Sequence, residues 1–206
     1  MIYLRYDPAT NLGNYMFQIA FASAVDSDAD IAFVTADERG RERLDRYREL
    51  YPYVRIVPKV PEGTRVFDER DEPGALPQVR KGEDVFIKGF VQYPQFFDAV
   101  RVRELFACPK RIEQLIDAKY GSLLKRKDLV SIHVRRGDYL KLSHRHPFVG
   151  KKYLREAVSR FPKGEFVVCS DDIPWCKSFF KGPQFRFAEG GNVIDDLFLM
   201  SWGDHH

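Results

Sequence analysis

The sequence has few cysteines, no long apolar run and little net charge, and each shortage excludes a class of protein. Its three cysteines, Cys108, Cys169 and Cys176, fit neither a disulfide framework nor a zinc site. No apolar stretch approaches the roughly 18 residues of a membrane span, although peripheral contact with a membrane stays open. The net charge of +3 is spread along the chain, so no broad nucleic-acid surface is expected. The lack of a disulfide framework predicts a protein of the reducing cytoplasm.

What the chain does contain is ordinary globular composition, 44% hydrophobic and 31% charged over 206 residues. Strand and helix patterns alternate, which predicts an α/β fold with a mostly parallel sheet in each of two halves. The predicted strands cover 1–6, 30–34, 54–57, 84–92, 129–134, 165–169 and 184–188. The predicted helices cover 15–25, 41–50, 94–106, 110–124, 151–160, 174–180 and 193–202, and 58–82 is predicted to be mostly loop. Helix 110–124 is interpreted as the link, so the expected domains are 1–125 and 126–206.

The segment with the clearest chemistry is an apolar strand, 130–134, that runs into Arg135, Arg136, Gly137 and Asp138. A buried parallel strand that ends in polar residues marks the sheet edge where open α/β folds bind ligands. Two guanidinium forks can bind a phosphate or pyrophosphate, the glycine permits a close approach, and the aspartate can hold one fork. A surface salt-bridge cluster is the simpler alternative. The tripeptide 136–138 also matches an integrin-type adhesion motif, which the strand context disfavours.

A second polar segment, Asn11-Leu12-Gly13-Asn14, precedes a predicted helix that carries Gln18. Free backbone N–H groups at the start of a helix favour anions and sugar hydroxyls. The alternative is that Asn14 only caps the helix.

Acidic pairs follow two further elements. Asp171 and Asp172 come directly after strand 165–169, where they can order a loop, bind ribose hydroxyls or cap the next helix, and capping is favoured. Asp195 and Asp196 begin the last helix, where stabilising the helix dipole is a sufficient role. The segment His144-Arg145-His146 has no acidic or cysteine partner at ligand spacing, so no metal site is predicted.

Five segments, taken in order, resemble the α-1,2-fucosyltransferases of glycosyltransferase family 11. Tyr15 replaces the usual glutamine of the first segment, whereas the arginine segment matches without gaps. The segments are 11–18, 89–92 with Phe96 and Phe97, 133–139, 166–173 with Trp175, and 195–201. Because they span the whole chain, the resemblance is more specific than any one motif.

The resemblance implies a GT-B-like fold of two Rossmann-like halves, with GDP-fucose as donor and no obligatory metal. Fucose would pass with inversion to the 2-hydroxyl of a terminal galactose in glycan biosynthesis. The family pattern continues past Asp204-His205-His206 into a further strand, so the second half is expected to be incomplete. A binding remnant without activity, and another nucleotide-sugar enzyme on the same fold, are therefore the alternatives.

The resemblance also implies roles for individual residues. The first domain would face the acceptor and the second would bind GDP-fucose. Arg135 would hold the β-phosphate, with Arg136 beside it, while His133 and Asp196 would approach the guanine. Asp171 and Asp172 would order the nucleotide side of the site. The loop near fucose or acceptor would contain Asn11, Gly13, Asn14 and Gln18. Asp7 and Asp138 are the candidates for a general base, and Asp138 is favoured as a structural partner of an arginine.

Overall fold

A computed structural model of the chain describes residues 1–125, 127–141 and 150–206. The chain forms two compact units, Met1–Ala107 and Cys108–His206. Each unit is an α/β structure with a sheet of parallel strands, which confirms the predicted fold class. The boundary falls earlier than the predicted residue 125, because the helix expected as a link packs against the last helix of the second unit.

The first unit contains a five-stranded sheet in the order β3-β2-β1-β5-β4. All neighbouring strands in this sheet run parallel. The strands are β1 (Ile2–Arg5), β2 (Ile31–Val34), β3 (Arg55–Val57), β4 (Arg65–Asp68) and β5 (Val85–Lys88). The helices are α1 (Leu12–Val25), α2 (Glu38–Asp45) and α3 (Ala99–Leu105), with a 3₁₀ turn at Pro94–Phe96.

Two neighbouring interior strands, β1 and β5, contribute to the core of the first unit. Ile2 and Leu4 of β1 and Val85 and Ile87 of β5 are each at most 1% exposed. Central strands of a parallel sheet are covered on both faces, and this explains their nearly continuous apolar sequence.

Strand β4 corrects the prediction of a loop over 58–82. Its only fully buried side chain is Phe67, and its first and last residues, Arg65 and Asp68, are charged. An edge strand of four residues with one buried side chain has too little periodicity to be distinguished from a loop.

Helix boundaries in the first unit also differ from the predictions. The predicted helix 94–106 is a 3₁₀ turn followed by α3, because Asp98 accepts a hydrogen bond from the N–H of Arg101 and starts a new helix. The predicted helix 41–50 begins at Glu38 instead, where the Asp37 side chain caps it by accepting from the N–H of Gly40. Helix α1 begins three residues before the predicted Tyr15.

The second unit contains a three-stranded parallel sheet in the order β6-β7-β8. Its strands are β6 (Leu129–Val134), β7 (Glu165–Ser170) and β8 (Phe185–Phe187). Its helices are α4 (Lys110–Leu124), α5 (Gly137–Lys141), α6 (Lys151–Ser159), α7 (Ile173–Phe179) and α8 (Val193–Ser201). Helix α5 was not predicted, since its sequence resembles a polar turn. Only Arg135 and Arg136 separate β6 from α5.

The core of the second unit is rich in aromatic side chains. Phe166 on β7 and Phe185 on β8 stack with ring centroids 4.9 Å apart, and Phe180 packs on Phe185 at 5.2 Å. At the edge of the sheet formed by β6, His205 makes a parallel bridge with Val130. Within the described residues, no helix has both the length and the apolar character needed to cross a membrane.

Candidate functional site

The arginine segment and the acidic pair meet at the carboxyl edge of the second sheet. Strands β6 and β7 pair in parallel register with Val134 opposite Ser170. The Ser170 hydroxyl donates to the carbonyl of Val134 at 2.6 Å and fastens the two strand ends together. The loops that follow the two strands therefore leave the sheet side by side.

Asp171 joins these two loops. Its Oδ1 accepts from the N–H of Arg136 at 2.8 Å, and its Oδ2 accepts from the N–H of Gly137 at 2.9 Å. A Cβ on Gly137 would lie only 2.8 Å from Asp171 Oδ2. The close approach that this glycine permits is thus to the Asp171 carboxylate. Asp171 orders the turn that carries both arginines.

Arg135 is held by Asp138 in a two-point ion pair. Nε donates to Oδ1 at 2.9 Å and Nη2 donates to Oδ2 at 2.6 Å, while the Tyr139 ring lies 4.6 Å from the guanidinium. The hydrogen bond from Arg135 lowers the pKa of Asp138. Because both Asp138 oxygens are engaged and its pKa is depressed, the geometry favours Asp138 as the partner that orients Arg135 over a general base.

Arg136 points to a different set of groups. Its Nε donates to Asp172 Oδ2 at 2.9 Å, and its guanidinium lies 4.0 Å from the centre of the Trp175 ring. Asp172 Oδ1 accepts from the N–H of Trp175 at 3.1 Å, so Asp172 is the N-cap of α7. This confirms the capping role predicted for Asp172 and adds a second one. The ion pair with Arg136 lowers the pKa of Asp172.

Asp196 lines a cavity of about 500 Å³ next to these loops, at the carboxyl ends of β7 and β8. Burial raises the pKa of Asp196 to about 6, and the neighbouring Asp195 acts in the same direction. The lining residues are Ser170, Ile173, Pro174, Lys177, Ala188, Glu189, Gly190, Gly191 and Asp196. Glu189 to Gly191 were missed in the sequence, although a glycine pair between a strand and a helix is a recognisable signal for a ligand loop.

Asp195 has a structural role in the same helix. Its side chain accepts from the N–H of Asn192, and the Asn192 side chain accepts from the N–H of Asp195, which completes a capping box at the start of α8. The helix-terminal role predicted for this acid is confirmed.

His133 does not share the Asp196 cavity. It lines a separate, mainly apolar cavity of about 520 Å³, together with residues of α6 and α8. Desolvation by the surrounding protein atoms lowers the pKa of His133. The negative charge of Asp171 opposes this shift, and the positive charge of Arg135 acts with it. His133 and Asp196 were both expected to approach the guanine, but the structure places them in different cavities.

The residues predicted from the first loop are placed in and around α1. Asn11 is the N-cap residue, but its side-chain oxygen accepts from Arg43 Nη2 at 2.6 Å and not from the helix. Asn14 lies inside the helix and accepts from Gln92 Nε2 at 2.7 Å, so the alternative that Asn14 only caps the helix is excluded. Gly13 faces open space. Gln18 is 3% exposed.

Metal-ligating side chains are not clustered in the described part of the chain, where no group of three or more histidine, cysteine or acidic residues could hold an ion. His144 and His146 lie outside the described residues.

Comparison with known proteins gives three matches. The family model "Glycosyl transferase family 11" matches residues 85–206, which include β5 and the whole second unit. An alpha-1,2-colitosyltransferase of Escherichia coli is 29% identical over 240 residues, which cover 96% of this chain and 80% of that protein. The galactoside 2-alpha-L-fucosyltransferase Sec1 of Mus musculus is 31% identical over 88 residues, 37% of this chain and 24% of that protein.

Proposed function

Since the chain belongs to glycosyl transferase family 11, we propose that it transfers L-fucose from GDP-fucose to the 2-hydroxyl of a terminal galactoside, with inversion at the sugar carbon. The partners in this proposal are GDP-fucose and a galactose-terminated glycan, and no obligatory metal ion takes part. The observation that carries it is the Arg135 guanidinium, oriented by Asp138 at the carboxyl end of β6.

Arg135 supports the step in which the glycosyl–phosphate bond breaks. Negative charge then develops on the leaving pyrophosphate, and preorganised donors stabilise that charge most in the transition state. Asp138 engages Nε and Nη2 of the guanidinium. An arginine carries five N–H donors in a rigid fork, so three N–H donors are not engaged by Asp138 and can bind a phosphate.

Asp196 and its cavity support recognition of the nucleotide. The cavity adjoins Ser170 and thus the loop that carries Asp171. A carboxylate with a pKa of about 6 is mostly ionised at neutral pH and accepts hydrogen bonds from the N–H groups of guanine. His133 is retained as a donor contact in the proposal, but its separate cavity predicts a smaller effect for His133→Ala than for Asp196→Asn.

The first unit is proposed to serve the acceptor, with Asn11, Gly13, Asn14 and Gln18 near the fucose or acceptor. An inverting transfer needs a base for the acceptor hydroxyl. We assign that role to Asp7, which follows β1, since Asp138 has both oxygens bound to Arg135.

Transfer of colitose is a second candidate. The observation that favours it is the extent of the match, because the colitosyltransferase aligns with 96% of this chain and Sec1 with 37%. Supplying GDP-linked fucose and GDP-linked colitose in one reaction, and measuring the ratio of products by mass spectrometry, decides between the two donors.

The proposal is tested by titrating the purified chain with GDP-fucose in a calorimeter and then incubating it with lactose. We expect saturable binding and a fucosylated product detected by mass spectrometry. Arg135→Ala is expected to abolish most product, whereas the matched variant Arg160→Ala, at an exposed position beyond α6, retains it. Donor binding without product under any acceptor would instead support the binding remnant, and no binding of GDP or GDP-fucose would refute both.

A further inference from the structure

The first unit contains a cavity of about 180 Å³ at the carboxyl ends of β1, β4 and β5. Strand β1 leads through α1 to β2 on one side, whereas β5 flanks β1 on the other side. The chain therefore changes direction at the β1–β5 pair, and ligands of open α/β sheets bind outside the strands at such a switch point. The lining residues are Arg5, Asp7, Gln18, Asp68, Glu69, Arg70, Lys88, Gly89 and Phe90.

Gln18 offers an unused hydrogen-bond acceptor in the wall of this cavity. Its amide nitrogen donates to the carbonyl of Arg5 at 3.1 Å and to the carbonyl of Gly89 at 2.8 Å, so both N–H groups are used and the amide orientation is determined. Its Oε1 is buried and has no hydrogen-bond partner among the described residues. Buried polar atoms are nearly always paired, so an unpaired one beside a cavity points to a ligand that donates a hydrogen bond.

The charges around the cavity balance. Three cationic and three anionic side chains line it. Arg70 and Asp68 already form a two-point ion pair, with nitrogen–oxygen distances of 3.0 and 2.7 Å. A phosphate would require an excess of positive charge, which this cavity lacks. Hydroxyl groups both donate and accept, so a neutral polyhydroxylated ligand satisfies a mixed set of this kind.

An aromatic side chain and a carboxylate stand together at one side of the cavity. Phe90 is 45% exposed, and its N–H donates to Glu69 Oε2 at 2.7 Å. A ring face beside a few polar groups suits the apolar face and the hydroxyl edge of a sugar ring.

The backbone of the same loop is held under strain. Val91 is buried with φ +45°, a conformation that a β-branched residue rarely adopts, and Gly89 has φ +138°. A Cβ at Gly89 would collide with the Glu69 carboxylate. Strained backbone persists where the surrounding structure requires it, commonly at ligand sites.

We propose that this cavity is the subsite for the neutral acceptor sugar, an inference that rests on the proposed function. Glu69 and Gln18 accept hydrogen bonds from ring hydroxyls, Lys88 donates to one, and Phe90 packs against the ring. Asp7, assigned above as the base, lines the same cavity and would thus lie beside the reacting hydroxyl. Anion binding is left to the second unit.

The test is saturation-transfer NMR with methyl β-D-galactoside in the presence of GDP, on the full chain. We expect transfer to the galactoside in the wild type. Glu69→Gln and Lys88→Met are each expected to bind about tenfold more weakly, the effect of losing one charge-assisted hydrogen bond. The matched controls are Glu62→Gln and Lys81→Met, both at exposed positions outside the cavity. Thermal unfolding verifies that each variant is folded.

Each result bears on the inference separately from the donor site. Equal galactoside binding by all four variants and the wild type, or no binding by the wild type, overturns the subsite. Preferential binding of methyl α-L-fucoside, lost in the same two variants, overturns its assignment to the acceptor. If the two units have the proposed roles, Glu69→Gln binds GDP with the affinity of the wild type in calorimetry. Galactoside binding without GDP binding would refute the donor half of the proposed function and leave the sugar subsite supported.

Discussion

Arg135 and Arg136 are adjacent, but their surroundings predict opposite consequences of substitution. The Arg135 side chain is 34% exposed and its partner Asp138 48%, so this ion pair is close to a surface pair. Surface pairs of this kind contribute about 0–1 kcal/mol to the free energy of unfolding. Arg135→Ala is therefore expected to leave stability almost unchanged.

The same substitution is expected to lower catalysis strongly. Removal of one preorganised donor to a developing anion lowers kcat by about 10²–10³, or roughly 3–4 kcal/mol of transition-state stabilisation. Arg135→Lys keeps the charge but loses the fork, and an intermediate loss is expected. The measurements are kcat and KM for fucosyl transfer, GDP affinity by calorimetry and urea unfolding.

Arg136→Ala serves as the contrast. The Arg136 side chain is 15% exposed, stacks on Trp175 and binds the aspartate that caps α7. Its loss leaves Asp172 without its cation, and we expect a cost of about 1–3 kcal/mol in unfolding free energy. The assignment of the two roles is refuted if Arg135→Ala unfolds the protein. It is also refuted if Arg135→Ala leaves kcat unchanged while Arg136→Ala abolishes transfer.

Three further predictions concern other parts of the structure. Gly137→Ala places a methyl group against the Asp171 carboxylate, 2.8 Å from Oδ2, and should lower the unfolding free energy by about 1–3 kcal/mol; an unchanged urea midpoint would contradict this. The folded-state pKa of Asp196 is about 6, above its ordinary value of 3.8, so ionisation of Asp196 lowers the stability as the pH rises between these values. GDP affinity, in contrast, should fall as the pH is lowered through 6, where Asp196 becomes protonated. Asp196→Asn should remove that pH dependence of GDP binding in calorimetry, and its persistence would exclude Asp196 as the cause. Gln18→Leu should cost about 2 kcal/mol, since the carbonyls of Arg5 and Gly89 lose their donor; thermal unfolding measures this, and a stabilised variant would contradict it.

The sequence predicted most of the fold because its strongest signals are local. The bounds of α4 and β6 match the predictions residue for residue. Strand β4 was missed because it buries a single large side chain, Phe67, among charged neighbours. Its place in the sheet depends on pairing with β5, which no local pattern records.

The candidate site was predicted in part. The arginine segment and the acidic pair were both identified, since polar residues that end apolar strands are visible in sequence. His133 and Asp196 were both expected to contact the guanine, but they line different cavities. The reason is that the direction of each side chain depends on packing around β6 and α8. Likewise, no local sequence pattern marks Glu69 as a site residue. Its proposed role follows only from its position beside Gly89 in the folded structure.

The sequence alone determined the alternation of strands and helices, the capping acids and the resemblance to a family, because periodicity, caps and motifs are properties of neighbouring residues. Tertiary structure decided that Arg136 binds Asp172, and it alone placed Gln18 between the ends of β1 and β5. Those contacts join residues far apart in the chain, and parallel strand pairing with side-chain packing selects them. The arrangement of the Arg136 loop and of the cavity beside Gln18 follows from that selection.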